Sequence, residues 1–290
     1  MTDMAELLKG KAVADALVEK LHVRVDALKE RGVQPGLAIV RVGAREDDLS
    51  YERAAERRMQ SVGIDVQKFS LPADCSQEDL LQVIGEVNDS PTIHGCLMLR
   101  PLPRHLDEVT ACEALDPEKD VDGITQSSIY GVFANQQMGF SPCTADACVR
   151  LLDHYGYGLE GARVTVVGRS LVIGKPVAMM LQARNATVTM CHTRTRDLPA
   201  ECRRAEVLVV AAGHRGTVGA DAVAPGQVVV DVGVNWDAET ERLVGDVKFD
   251  EVEPIVSAIT PVPGGVGSVT TAVLASHVVE AAERTICEQG

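Results

Sequence analysis

Apolar residues along the chain follow two spacings, one typical of helices and one typical of buried strands. Recurrence every three or four positions predicts helices, and short continuous apolar runs predict strands of a parallel sheet. The predicted helices cover Lys9 to Glu30, Asp48 to Val62, Gln77 to Val87, Leu106 to Leu115, Thr144 to His154, a segment ending at Ala183, and Thr270 to Cys287. The predicted strands are Gly36 to Val42, Val66 to Leu71, Gly95 to Leu99, Arg163 to Val167, Thr187 to Cys191, Val207 to Ala211 and Val228 to Val232.

The alternation of these helices and strands predicts an α/β fold with mostly parallel sheets. Asp120 to Pro142 is rich in Gly, Ser and polar residues and has no clear period, so we expect a loop there that ends at a domain junction. The predicted domains are residues 1–143 and 144–269. The last helix, within residues 270–290, is expected to pack back on the first domain.

The composition excludes several classes of protein. The formal net charge of −14 gives a surface that repels polyanions, so we expect no nucleic-acid partner. No uninterrupted apolar run reaches the ~18 residues that suggest a membrane span, and the acidic N-terminus differs from a secretory signal, so a cytoplasmic location is expected. The eight cysteines are scattered and form no CxxC pair, which favours buried free thiols over disulfides or a metal site.

A glycine-containing turn is the first candidate site. The apolar strand ending at Val167 runs into Gly168-Arg169-Ser170, and Gly174 opens the next helix. Glycine at such a turn lets the backbone approach a pyrophosphate, and the helix N-terminus offers free amides to it. The spelling is GxSxxxG rather than GxGxxG, so a purely structural βα turn also fits this pattern taken alone.

The residues after the following strand indicate which dinucleotide would bind. An NAD site typically has Asp or Glu there to bind the ribose. This chain instead has His192, Thr193, Arg194 and Arg196, besides Arg169 in the turn. Planar guanidinium groups match phosphate oxygens, so the sequence favours NADP(H), with its 2′-phosphate, over NAD(H). The alternative is that these arginines are solvated loop charges.

Further motifs extend the pattern over nearly the whole chain. In order, they are Asp120-Val121-Asp122-Gly123, Val167-Gly168-Arg169-Ser170, Asp231-Val232-Gly233-Val234-Asn235, Gly245-Asp246-Val247 and the segment Ile259 to Gly267. In these motifs the sequence resembles the bifunctional methylenetetrahydrofolate dehydrogenase/cyclohydrolase family. The resemblance implies an N-terminal α/β catalytic domain plus a Rossmann-type NADP-binding domain, an active-site cleft between them, and a homodimer. It also implies oxidation of 5,10-methylenetetrahydrofolate by NADP⁺ and hydrolysis of the methenyl product to 10-formyltetrahydrofolate.

The resemblance assigns roles to individual residues. Tyr51 matches the tyrosine that packs on the folate ring, and Asp122 matches the carboxylate that hydrogen-bonds the pterin. Without the other motifs, Tyr51 would be read as a helix packing residue and Asp122 as a turn former. The remaining expected folate contacts are Ala55, Leu99, Arg100, Pro263, Gly264 and Gly265. The expected coenzyme contacts are Gly168, Arg169, Ser170, Gly174, His192, Thr193, Arg194, Gly213, Val234 and Thr270.

The sequence departs from the family pattern around the reacting carbon. The signature Tyr-x-x-x-Lys ends here at Ala55, and Leu99 replaces the partner glutamine. Asp48 occupies a position where the family commonly has Ser, and Ser268 replaces a proline. The residues that position substrate and coenzyme are kept, while the groups that move protons are lost.

One residue could compensate for the missing lysine. Asp48 shares a helical face with Tyr51 and Ala55, so its carboxylate could project toward the vacated space. Arg100 is a weaker candidate because successive strand side chains point to opposite faces, unless the strand has already ended.

The leading hypothesis is an NADP-dependent dehydrogenase whose cyclohydrolase step is weak or lost. Three alternatives are open: a fully bifunctional enzyme, a catalytically silent folate- and NADP-binding paralogue, and an NADP enzyme that acts on another pterin-like or imine substrate.

Overall fold

The computed structural model describes residues 4–287, in which the chain forms two compact units. One unit consists of the segment that ends at Asp15 together with Thr144–Thr270. The other consists of Ala16–Cys143 together with the segment that begins at Thr271. We call them the six-stranded unit and the three-stranded unit, after their main sheets.

Strands and helices alternate through the described residues. The strands are β1 (Glu6–Leu7), β2 (Gly36–Val42), β3 (Asp65–Leu71), β4 (Gly95–Met98), β5 (Arg163–Val167), β6 (Thr187–Cys191), β7 (Val207–Val210), β8 (Val228–Asp231), β9 (Asn235–Asp237), β10 (Arg242–Val244) and β11 (Ala258–Ile259). The α-helices are α1 (Gly10–Glu30), α2 (Glu46–Val62), α3 (Gln77–Asp89), α4 (Glu108–Glu113), α5 (Gln126–Ala134), α6 (Cys143–His154), α7 (Gly174–Ala183), α8 (Leu198–Arg203), α9 (Phe249–Val252) and α10 (Gly267–Cys287).

The three-stranded unit is built on a parallel sheet whose strand order within residues 4–287 is β3-β2-β4. β2 is central, and its side chains other than Arg41 are buried. Arg41 donates from Nε to Oε2 of Glu52 over 2.7 Å, which ties α2 to this strand. The first turns of α2 therefore lie beside the carboxyl end of the central strand.

The six-stranded unit contains a second parallel sheet. Its strand order in the described part of the chain is β1-β11-β8-β7-β5-β6. From β5 the chain goes first to β6 on one side and later to β7 on the other. The connections after β5 and β7 therefore diverge at the carboxyl ends, and such a switch point is where open α/β sheets bind ligands. β9 and β10 form a separate antiparallel hairpin.

The predicted α/β class is confirmed, and the main strand predictions agree closely with the structure. β2, β5 and β6 have the predicted bounds, whereas β4 ends at Met98, one residue earlier than predicted. This difference matters chemically, because Leu99 and Arg100 then follow the strand. The alternation rule that disfavoured Arg100 no longer applies to it.

The prediction of a continuous loop from Asp120 to Pro142 is wrong, because α5 lies inside this segment. Thr125 caps the helix, its side chain accepting a hydrogen bond from the backbone nitrogen of Ser128. Asn135 ends it in the left-handed conformation, with φ of 51°. The helix has few buried positions, so it lacks the apolar period by which the other helices were recognised.

Seven cysteines have buried side chains that take part in no disulfide, which confirms the prediction of buried thiols for them: Cys75, Cys96, Cys112, Cys143, Cys148, Cys191 and Cys202. The side chain of Cys287 lies outside the described residues. Over residues 4–287 no helix combines the length and apolar character needed to cross a membrane. The same part of the chain contains no group of three His, Cys, Asp or Glu side chains arranged to hold a metal ion.

Candidate active site

The three-stranded unit brings together Tyr51 and Asp122, two of the predicted folate residues. Tyr51 lies in the second turn of α2, and Asp122 lies in the loop before α5. Burial raises the pKa of the Tyr51 hydroxyl well above its usual value, and the negative charge of Asp122 raises it further. Tyr51 therefore stays protonated beside the carboxylate, as an aromatic face with a neutral polar tip.

The carboxyl group of Asp122 is tuned by several neighbours. Burial raises its pKa to about 6, and the charge of Asp120 also contributes to the increase. The positive charge of Arg100 and the nearby thiol of Cys143 act in the opposite direction. Arg100 itself lies 3.6 Å from a carboxylate oxygen of Glu108, measured from NH1 to Oε1. The early end of β4 thus lets Arg100 act on the same carboxylate that the resemblance assigns to the pterin.

The loop that carries Asp122 is held by buried polar contacts. Asp120 is fully buried and accepts hydrogen bonds from the backbone nitrogens of Ile124 and Thr125, at 2.9 and 2.8 Å. The hydroxyl of Ser128 donates to the same carboxylate over 2.6 Å. These bonds offset the cost of burying the Asp120 charge, so the first Asp of the Asp-Val-Asp-Gly motif is a structural anchor for the second.

Cys143 and His277 are neighbours of this loop that sequence reasoning did not select as functional. The thiol of Cys143 donates to the carbonyl oxygen of Val121 over 3.2 Å, and Nδ1 of His277 lies 2.9 Å from the same oxygen. His277 belongs to α10, far away in sequence. The sequence predicted Cys143 only as a buried thiol, and no motif in the sequence links Cys143 to His277.

The positions at which the resemblance leads us to expect a lysine and a glutamine hold buried apolar side chains. Ala55 is fully buried on α2, and Leu99 is 5% exposed. Neither side chain has a group that could donate, accept or relay a proton.

Asp48 lies on the buried face of the same helix, where it is paired with Arg45. Nε and NH2 of Arg45 bind the two carboxylate oxygens, each over 2.7 Å. A carboxylate held in this bidentate way has both oxygens engaged by a cation.

In the six-stranded unit, the glycine turn has the close packing expected of a dinucleotide site. Gly168 follows β5 with φ of 141°, and a Cβ there would overlap the carbonyl oxygen of Ala211, which follows β7. A Cβ on Gly174 would lie 2.6 Å from the carbonyl carbon of Gly168. The turn, the start of α7 and the end of β7 therefore meet with no room for side chains, so backbone alone forms the cradle at the switch point.

The predicted polar residues of this unit lie at the carboxyl ends of β5 and β6. The hydroxyl of Ser170 accepts from the backbone nitrogens of Ile173 and Gly174, at 3.1 and 3.3 Å, and so shapes the entry to α7. After β6, Nδ1 of His192 accepts from the backbone nitrogen of Arg194 over 3.1 Å. Arg169, Thr193 and Arg194 have exposed side chains.

The other predicted coenzyme and folate residues of the six-stranded unit lie in loops or at a helix end. Gly213 has φ of 68° and follows β7, and Val234, which follows β8, is 62% exposed. Thr270 is buried in the first turn of α10. Pro263 and Gly264 are exposed in the turn before α10, and the carbonyl oxygen of Gly264 accepts from the backbone nitrogen of Gly10 over 2.8 Å.

Comparison with known proteins covers both units. Residues 8–122 match the family described as tetrahydrofolate dehydrogenase/cyclohydrolase, catalytic domain, and residues 142–286 match its NAD(P)-binding domain. The chain belongs to the tetrahydrofolate dehydrogenase/cyclohydrolase family. This confirms the expected enzyme family and places the predicted dinucleotide turn inside a domain described as binding NAD(P).

Individual members of the family resemble this chain along almost its whole length. The bifunctional protein FolD of Carboxydothermus hydrogenoformans is 52% identical over 281 residues, which cover 97% of this chain and 98% of that protein. The structure of the bifunctional FolD enzyme of Campylobacter jejuni is 36% identical, with a TM-score of 0.94 and coverage of 97% and 99%.

A third relative was solved with a coenzyme. The Trypanosoma brucei FolD structure, complexed with NADP cofactor and inhibitor, is 34% identical, with a TM-score of 0.92 and coverage of 98% of this chain and 99% of that one. The fold and the order of the two domains are therefore those of the family.

Proposed function

We propose that this protein is an NADP-dependent methylenetetrahydrofolate dehydrogenase whose cyclohydrolase step is weak or lost. One observation carries the proposal. The residues expected to hold folate and coenzyme keep their polar partners, whereas the positions of the family's lysine and glutamine hold the buried side chains of Ala55 and Leu99.

The two steps of the family reaction differ in what they need from the protein. Hydride transfer needs positioning of the methylene carbon, and the coenzyme, when bound, supplies the hydride-accepting chemistry. Hydrolysis of the methenyl cation needs a group that deprotonates water and a group that protonates a ring nitrogen. Loss of proton-handling side chains therefore weakens the second step more than the first.

Folate binding is assigned to Tyr51 and Asp122, supported by Arg100. The aromatic face of Tyr51 suits stacking on the pterin side of the substrate, and the ionised Asp122 suits the donor edge of an aminopyrimidinone. Arg100 favours the ionised form of Asp122. Pro263 and Gly264 are proposed as further ligand contacts because they are exposed and a glycine permits close backbone approach. Gly265 is buried in the same turn, and its proposed contact rests on the resemblance.

Coenzyme binding is assigned to the crowded glycine turn and to the residues after β6. Gly168 and Gly174 let the turn, the start of α7 and the end of β7 pack with backbone against backbone, and the helix N-terminus of α7 suits a pyrophosphate. The exposed guanidinium groups of Arg169 and Arg194 fit the 2′-phosphate of NADP. Ser170, His192 and Thr193 complete this part of the site, and Gly213, Val234 and Thr270 are proposed for the nicotinamide side.

Asp48 is retained as the candidate replacement for the lysine, but its pairing with Arg45 limits the role. Both of its oxygens are bound by the guanidinium, so acting as a base would require it to leave this pair. Asp48→Asn is the direct test. A large drop in turnover with normal ligand binding supports the hypothesis, and unchanged turnover removes it.

The proposal is tested by restoring the missing groups. In Ala55→Lys/Leu99→Gln we expect cyclohydrolase activity to rise at least about tenfold, within the range that one positioned acid/base group contributes. The matched control is Gln60→Lys/Leu99→Gln, which puts the same charge on an exposed residue of α2 about 180° around the helix from Tyr51. Rapid methenyl hydrolysis by the unmodified chain, no faster after restoration, would overturn the proposal.

A fully bifunctional enzyme is the second candidate, and one feature favours it. Asp122, with its pKa raised to about 6, can exchange a proton near neutral pH. Asp122 would then serve hydrolysis as well as binding. A silent binding paralogue would bind both ligands without turnover, and an enzyme for another pterin-like or imine compound would be stabilised by that compound rather than by folate.

The dimer expected from the resemblance and the location expected from the composition stay predictions. We propose that the chain works as a homodimer and that it is cytoplasmic, with folate-type small molecules as its substrates. Light scattering of the purified protein measures the first, and cell fractionation measures the second.

A further inference from the structure

Two buried aspartates lie beside the loops at the carboxyl ends of β7 and β8. Asp231 is the last residue of β8, and Asp246 follows the β9–β10 hairpin. Asp246 is fully buried, and Asp231 is 3% exposed. Burial of a carboxylate is costly unless it is hydrogen-bonded, so the partners of these two side chains show what they serve.

Asp246 ties two loops to the hairpin. Its Oδ2 accepts from the backbone nitrogen of Gly213 over 2.8 Å, and its Oδ1 accepts from Nδ2 of Asn235 over 2.9 Å. Gly213 belongs to the loop after β7, and Asn235 begins β9. One carboxylate therefore fixes the distance between the two loops.

Asp231 holds Asp246 and Gly233, the second residue after β8. Its Oδ1 accepts from the backbone nitrogens of Gly233 and Asp246, each over 3.0 Å, and its Oδ2 accepts from that of Val247 over 3.0 Å. Val234 thus lies between two residues that the aspartates hold, Gly233 through its backbone and Asn235 through its side chain.

Two glycines are required by the same pair. A Cβ on Gly245 would overlap the carboxylate of Asp231, and a Cβ on Gly233 would overlap that of Asp246. Both glycines lie in the motifs Asp-Val-Gly-Val-Asn and Gly-Asp-Val. Glycine is therefore required at both positions to leave room for the two carboxylates. This requirement is not expected if Asp231 and Asp246 merely fill space.

We infer that Asp246, supported by Asp231, is a positioning residue for the nicotinamide coenzyme, acting through Gly213 and Val234. The inference rests on the proposed function, which assigns those two residues to the coenzyme. The side chain of Val234 is 62% exposed and is therefore available to pack against a ligand. Its position depends on the backbone of Gly233 and Asn235 on either side. Displacements of about 1 Å are enough to lower the efficiency of a positioned site.

The test compares coenzyme binding with folate binding in matched variants. Asp246→Ala removes both acceptors, and Asp246→Asn keeps the shape but loses the charge. We expect the Kd for NADP⁺, measured by calorimetric titration, to rise about tenfold in Asp246→Ala, equivalent to ~1.4 kcal/mol, and less in Asp246→Asn. The Kd for a folate analogue should change less than about twofold, and KM for NADP⁺ should rise more than kcat falls, as expected for lost ground-state positioning.

Thr240→Ala is the matched control on the same hairpin. The hydroxyl of Thr240 donates to Oδ2 of Asp237 over 3.0 Å, and within residues 4–287 no hydrogen bond joins its side chain to Gly233 or to the loop after β7. We expect its Kd for NADP⁺ to equal that of the unmodified chain. Thermal unfolding of each variant shows whether the fold is kept.

If Asp246→Ala does not fold, Asn235→Ala replaces it, because this change removes one partly exposed donor and leaves both carboxylates. A several-fold rise in the Kd for NADP⁺ in Asn235→Ala and Asp246→Asn then supports the inference. Unchanged Kd values in both variants overturn it. Failure of the unmodified chain to bind NADP⁺ overturns the proposed function as well, so the two failures are distinguishable.

Discussion

At the residue scale, Asp122 has the most specific chemical expectation. Burial raises its pKa to about 6, so the carboxylate form prevails above that pH and the neutral acid below it. Only the ionised form accepts hydrogen bonds at both oxygens from a pterin donor edge. We therefore predict that kcat/KM for the folate substrate falls about tenfold per pH unit below this pKa and is level above it.

The control for this pH profile must separate Asp122 from Asp231. Burial also raises the pKa of the Asp231 carboxyl to about 6. In Asp122→Asn the inflection should disappear while a lower, pH-independent kcat/KM is left. The assignment to Asp122 is contradicted if the same inflection persists in that variant.

The roles of residues could be predicted where a short sequence motif contains them. They could not be predicted where they depend on contacts between distant segments. Tyr51 and Asp122 were selected from local motifs. Cys143 and His277 both contact the carbonyl oxygen of Val121, yet the cysteine and the histidine are 134 positions apart in the chain. The ion pair between Arg45 and Asp48 was not predicted either. The i,i+3 spacing alone does not distinguish a partly buried ion pair from two solvated charges.

At the element scale, continuous apolar strands were predictable because their boundaries coincide with polar or glycine residues. β5 is an example, because it begins at the charged residue Arg163 and ends just before Gly168. β1 and β11 contain two residues each, and β9 and β10 contain three, which is too short for an apolar period. Their presence follows from pairing with partners that only the fold supplies.

The close packing of Gly245 against Asp231 predicts how a substitution at this glycine changes the stability of the protein. Gly245→Ala should destabilise the protein by at least ~2 kcal/mol, because the new Cβ must displace the buried carboxylate of Asp231. Gly85→Ala is the matched control. Gly85 lies within α3 with no heavy atom within 4 Å of an added Cβ, so this change should stabilise by ~0.5–1 kcal/mol. Denaturant unfolding measures both, and equal effects of the two substitutions would contradict the packing argument.

At the scale of the whole molecule, the alternating helices and strands predict the α/β class. They do not predict which distant segments of the chain belong to the same unit. β1 pairs in parallel with β11 through Glu6 and Ala258, residues from opposite ends of the sequence. From Thr271 onward α10 belongs to the three-stranded unit, where Arg24 pairs with Glu283 over 2.6 Å. Such long-range pairing leaves no trace in the local hydrophobic pattern.

The proposed function concerns the whole molecule, because it predicts the balance between two reactions of one protein. In that proposal the residues for folate and coenzyme are kept, and Ala55 and Leu99 stand in place of two proton-handling groups. A chain of this kind should release or accumulate the methenyl product instead of converting it onward. The alternatives differ in this balance, since a bifunctional enzyme leaves little methenyl product and a silent paralogue forms none.

The most direct test is a product balance with the purified protein, 5,10-methylenetetrahydrofolate and NADP⁺. NADPH and 5,10-methenyltetrahydrofolate are measured by absorbance and 10-formyltetrahydrofolate by chromatography, and hydrolysis in buffer alone is subtracted. We predict that NADPH and the methenyl compound rise together in equal amounts while the formyl compound stays at the buffer level. Formation of 10-formyltetrahydrofolate as fast as NADPH, or no NADPH at all, would contradict the account.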